Sequence, residues 1–128
     1  MTEHSAPSLF DELTRCRPWI EAALFYGSGH HTFDDIAAGC YAGKFHLFAK
    51  PAACAVLEIN QFPRAREMHI FLAGGDMAQF RDSAAELDEL ARQFEATALT
   101  MAGRKGWARV LDQMGWEVQP ETTMRKPL

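Results

Sequence analysis

FHLFAKPAACAVLEINQFPRAREMHIFLAGGD, the stretch from Phe45 to Asp76, holds three apolar runs at residues 45–49, 53–62 and 67–73. Lys50-Pro51 separates the first two, and a polar segment with Pro63 and Arg64 separates the second from the third. Short apolar runs divided by turn signals predict an antiparallel meander of three strands. In the middle run, Leu57 and Ile59 share one side of the sheet, while Val56, Glu58 and Asn60 share the other. Gly74-Gly75-Asp76 closes the third strand.

C-terminal to the meander, Ser83 and Glu86 have capping-box spacing, and Leu87, Leu90, Ala91 and Phe94 form an amphipathic helical face. Residues 97–101 read as a short strand. Trp107, Val110, Leu111 and Met114 repeat the helical spacing, and Gly115 ends that helix. Residues 116–118 and 122–124 suit a final pair of strands around Pro120. N-terminal to the meander, Ser8 caps a first helix carrying Leu9, Leu13 and Cys16 on one face. Pro18 breaks that run and opens a second short helix through Ile20, Ala23 and Leu24. Thr32 and Asp35 begin a helix that stops at Gly43. The reading is a single domain over residues 1–128: an α/β (α+β) fold with a mixed, mainly antiparallel central sheet flanked by helices.

Composition removes several function classes. Charged residues make up 23% and apolar residues 48%, a globular balance. A net charge of -4 and short basic clusters argue against nucleic acid as a partner. No apolar run reaches the roughly 20 residues needed to span a bilayer. The first seven residues lack the basic-then-apolar order of a signal peptide. Cys16, Cys40 and Cys54 are odd in number, widely spaced and set among apolar residues. They read as reduced, buried thiols in a cytoplasmic protein. His30-His31 lacks further ligands at metal spacing, so no metal is expected there.

The element order resembles the GNAT (GCN5-related N-acetyltransferase) superfamily with its first strand missing or unread. The most specific stretch is Gly103-Arg104-Lys105-Gly106-Trp107 through Gly115-Trp116, similar to the family's last helix and to short phage-derived GNAT-like proteins. The resemblance implies acetyl-CoA as cosubstrate and a small amine or protein amine as acceptor. In that family the fourth strand splays from the fifth, and pantetheine pairs with the freed backbone. Carried over, Phe71, Leu72 and Ala73 meet pantetheine, and Gly74, Gly75 and the next few amides meet the diphosphate. Apart from the resemblance, Arg104-Lys105 is a candidate to reach a phosphate, with solvated charges at a helix start the equally ordinary reading. The usual Gln/Arg-x-x-Gly-x-Gly/Ala signature is absent, and Asp76 and Asp82 put negative charge beside that position. Leu111 stands where many family members carry a proton-donating tyrosine.

A general base on the strands would deprotonate the amine. His69 is the first choice, because imidazole titrates near neutrality. Glu67 shares its face and Glu58 lies on the preceding strand. The expected function is therefore acyl-CoA-dependent N-acetylation of an amine. The alternative is a degenerate, non-catalytic GNAT fold with a binding or phage-assembly role.

Overall fold

Two hydroxyl oxygens set where the first two helices begin. The computed structural model describes residues 7–27, 29–102, 105–119 and 124–128. Ser8 Oγ accepts from the Asp11 amide at 3.0 Å, and α1 follows over Leu9–Phe25. Thr32 Oγ1 accepts from the Asp35 amide at 3.3 Å, while the Asp35 carboxylate accepts from the Thr32 amide at 2.8 Å. This reciprocal box opens α2 (Phe33–Tyr41).

The first helix is continuous through Pro18, contrary to the expected break. Proline in a helix interior costs about 3 kcal/mol through a lost hydrogen bond and a clash. Pro18 and Thr14 lie on the exposed side, where water can reach the carbonyl that proline leaves unpaired. Leu13 and Ile20 on the opposite face are buried, at ~1.5–3 kcal/mol each. Burial outweighs the local preference.

The predicted meander forms as β1 (His46–Ala49), β2 (Ala53–Gln61) and β3 (Arg66–Gly75). Two helices follow, α3 (Met77–Asp82) and α4 (Ala84–Gln93), then β4 (Ala98–Met101) and α5 (Lys105–Asp112). Sheet order is β1-β2-β3-β4. The first three strands pair antiparallel and β4 joins β3 in parallel. A parallel neighbour needs a crossover of a dozen or more residues, which α3 and α4 supply.

Helices cover both faces. Leu13, Cys16, Ile20 and Ile36 from α1 and α2 pack on Val56 and Leu72. On the other face, Phe80, Leu87 and Ala91 from α3 and α4 pack on Leu57, Met68 and Ile70. Trp107 and Trp116 lie partly buried against this second cluster. Leu111 is buried, 6% exposed.

Two further expectations change. Ser83 makes no side-chain cap, because α3 runs directly into it and leaves it at φ -93°, ψ 6° rather than extended. Its hydroxyl donates back to the Gln79 carbonyl at 2.8 Å, and Glu86 pairs with Lys50 at 2.6 Å. The final strand pair is also absent among the described residues. Residues 116–119 and Met124 are in no strand, and Thr122 lies outside the described residues, as do Gly103 and Arg104. The described sheet therefore has four strands rather than six.

Candidate functional site

The third strand is longer than the partner beside it. Pairing between β3 and β4 runs from Glu67↔Ala98 to Ile70↔Met101 and stops. The strand itself continues to Gly75. Residues 72–75 pair with β2 on one side, but on the β4 side residues 71–75 face no strand among the described residues. Among the described residues no strand takes up the backbone donors and acceptors along that edge, and such groups require partners from elsewhere in the protein, from water or from a ligand.

A bulge marks the point where the edge opens. Val56 pairs with Leu72 and Leu57 with Ile70, so Phe71 is an extra residue on β3. Such a residue is unpaired and sharpens the local twist. Phe71 and Leu72 both pack toward α1 and α2, whereas Ile70 packs on the opposite face. His31, from the α1–α2 connection, sits edge-on to Phe71 with ring centroids 4.9 Å apart.

Beside the bulge lie the residues expected to carry chemistry. His69 is the cross-strand partner of Glu58 on β2 and of Thr100 on β4. Glu67 pairs with Asn60 two positions earlier. Residues directly opposite across a sheet share a face, so Glu58, His69, Glu67 and Thr100 form one half-buried polar group. It lies on the face opposite Met68 and Ile70. His69 Nδ1 is 2.8 Å from Thr100 Oγ1. Neither glutamate forms an ion pair among the described residues. The sequence offered no sign of Thr100, since a strand's own pattern carries no information about which neighbour it meets.

The two glycines have structural reasons of their own. A Cβ on Gly74 would lie 2.7 Å from the Trp19 carbonyl oxygen, so α1 crosses β3 there at backbone contact. Gly75 takes φ +96° in the turn into α3. The next amides are engaged within the protein: Asp76 N–H donates to the Ala52 carbonyl at 2.7 Å, and Ala78 N–H to the Asp76 carboxylate at 2.9 Å. A diphosphate seat over these amides would compete with both bonds. Arg104 lies outside the described residues.

Other candidates separate from this group. Tyr26, just past the end of α1, and Tyr41, the last residue of α2, are exposed. Two surface depressions lie elsewhere, one between Phe48 and Leu90 and one beside Arg15 and Leu47. The three thiols are free and buried. A hydrogen bond with Cys16, together with burial, pushes the Cys54 thiol far above its ordinary range, and burial pushes Cys40 up. No group of metal-ligating residues occurs among the described residues. No helix among them is long and apolar enough to cross a membrane.

No family model and no curated protein matches the chain. Solved structures do share its fold. An acetyltransferase from Trypanosoma brucei aligns with a TM-score of 0.62 at 15% identity, over 91% of this chain and 93% of that one. A tetramutant of the BH1408 protein from Bacillus halodurans aligns with a TM-score of 0.59 at 14% identity, over 93% of this chain and 94% of that one. The chain therefore has a mixed α+β fold, a four-stranded mixed sheet flanked by helices, similar to that of an acetyltransferase.

Proposed function

We propose that this protein binds an acyl-CoA, acetyl-CoA foremost, along the open edge of β3 and transfers the acyl group to an amine. The observation that carries this reading is that β4 ends at the Ile70↔Met101 pair, one residue beyond His69, while β3 runs on to Gly75. The edge at Phe71, Leu72 and Ala73 offers peptide groups to the amides of a pantetheine arm. The likeness to an acetyltransferase fold supports the same assignment.

In this scheme His69 takes a proton from the amine as its nitrogen attacks the thioester carbon. The N–C bond forms, the C–S bond breaks, and coenzyme A leaves as a thiolate that is protonated from solvent. Glu67 and Glu58 are the remaining bases on that face. Leu111 cannot donate a proton, so turnover is expected to be slow. The acceptor is a small amine or a protein amine.

The test is acetyl transfer to a broad amine panel, followed as release of free thiol. His69→Ala is expected to lower turnover by ~10²–10⁴-fold at neutral pH, the usual contribution of a positioned base, with acetyl-CoA affinity nearly intact. Wild-type turnover in that variant would show that His69 is not the base.

A second reading, a non-catalytic binding protein on the same fold, is favoured by one specific observation. The Asp76 carboxylate accepts from the Ala78 amide, and the Asp76 amide donates to the Ala52 carbonyl, so both are engaged where a diphosphate is expected, and the carboxylate adds a negative charge. No transfer to any amine, with no acyl-CoA bound, would favour it over the enzyme.

A further inference from the structure

We propose that Thr100 is a positioning residue for His69: it holds the ring proton on Nδ1 and leaves Nε2 as the nitrogen that receives the substrate proton. This rests on the reading of His69 as the base. The contact is short, 2.8 Å between Nδ1 and Oγ1, and it crosses from β3 to β4. The register that creates it is pinned at its entry, where the Thr97 amide donates to the Arg66 carbonyl at 2.9 Å and Arg66 Nε donates to the Phe94 carbonyl. Threonine is β-branched and stiff at χ1, so a fixed strand register also fixes its hydroxyl.

A neutral imidazole has one N–H and one bare nitrogen, and the bond made by one nitrogen selects the role of the other. With Nδ1 tied to Thr100, only Nε2 is left for a substrate. For Nε2 to accept a proton, Nδ1 must carry the hydrogen and Thr100 Oγ1 must accept it. A hydroxyl oxygen can do this. When the ring becomes imidazolium, the same Nδ1–H keeps the same acceptor, so the ring need not turn over between gaining and losing its proton. The opposite arrangement, Thr100 donating to a bare Nδ1, would put hydrogen on Nε2 and make the ring a donor toward substrate. Glu58, the cross-strand neighbour on the other side, is the remaining charged residue directly opposite His69.

The two tautomers differ in their side-chain ¹⁵N shifts. The measurement uses the full chain labelled at histidine, well above the ring's titration, with His69→Gln to assign its signals among the 5 histidines. The expected result is a pyrrole-type Nδ1 and a pyridine-type Nε2 in the wild type. Thr100→Val, nearly isosteric but without the oxygen, should shift the balance toward Nε2–H. Thr100→Ser should keep the wild-type pattern. Thr100→Val should also lower kcat by roughly 10-fold at unchanged KM for acetyl-CoA, the scale on which outer hydrogen-bond partners of a functional histidine act. An Nε2–H tautomer in the wild type, or Thr100→Val shifts identical to wild type, overturns the proposal. The expected tautomers without acyl transfer by the wild type would remove the base reading of His69 and leave the Thr100 contact standing.

Discussion

Glu95 is the described non-glycine residue with left-handed backbone, φ 60°. It follows α4, where its amide donates to the Arg92 carbonyl and the Ala96 amide to the Ala91 carbonyl, both at 2.9 Å. That is the helix-ending pattern that favours glycine at the left-handed position. Gly43 and Gly115 occupy the equivalent positions after α2 and α5, at φ 80° and 88°. Glu95→Gly is therefore expected to raise stability by about 0.5–1 kcal/mol, since relieving the ~1–2 kcal/mol strain is partly offset by glycine's greater unfolded-state freedom. The urea midpoint reads this directly, and a lower midpoint would contradict it. Gly74→Ala should do the reverse, by about 1–3 kcal/mol, because its Cβ meets the backbone of Trp19.

Asp35 supplies a pH dependence at the same scale. The bond from the Thr32 amide lowers its pKa below the ordinary carboxylate value. Its stabilisation is therefore present above the unfolded carboxylate pKa of about 3.9, and is lost as pH falls through the lower folded value. The stability gap between wild type and Asp35→Asn should be full near about pH 6 and close in strong acid. A gap that widened in acid would contradict the sign. This residue and the two helix-ending glycines were legible in the sequence because capping is local. The His69–Thr100 contact was not, because 31 residues separate its partners and only the sheet register joins them.

At the scale of elements, α1 shows tertiary burial overriding a local signal. Pro18 removes an amide from the middle of a helix that the sheet holds in place. Pro18→Ala is expected to stabilise by about 1–2 kcal/mol: the ~3 kcal/mol penalty is relieved, less the entropy that proline removes from the unfolded chain. Calorimetric melting checks it, and a melting temperature below wild type would show that the helix needs its proline. On α5, Leu111→Ala should cost about 2–5 kcal/mol, because the side chain is buried. An unchanged melting temperature would show that this face contributes no packing. The meander was legible from its alternation and turns. Ser83 was misread because its spacing to Glu86 carries no record of α3 ending on it, and residues 116–118 were read as a strand because a short apolar run carries no information on whether a neighbour pairs with it.

Across the whole molecule, two apolar layers clamp a sheet whose third strand extends past its parallel neighbour. The sequence showed the meander, the helix that becomes α4, the short β4 and α5 in their order, and the apolar segment that becomes β3. It did not show where β4 ends relative to β3, and that mismatch creates the candidate site. His69, Glu67 and Glu58 were named from the sequence and Thr100 was not, because their arrangement follows from cross-strand register. The central claim is that the edge at residues 71–75 binds an acyl-CoA. Titration of the full chain with acetyl-CoA by calorimetry tests it most directly. The account predicts saturable binding at micromolar concentration, and no detectable heat of binding at millimolar ligand would contradict it.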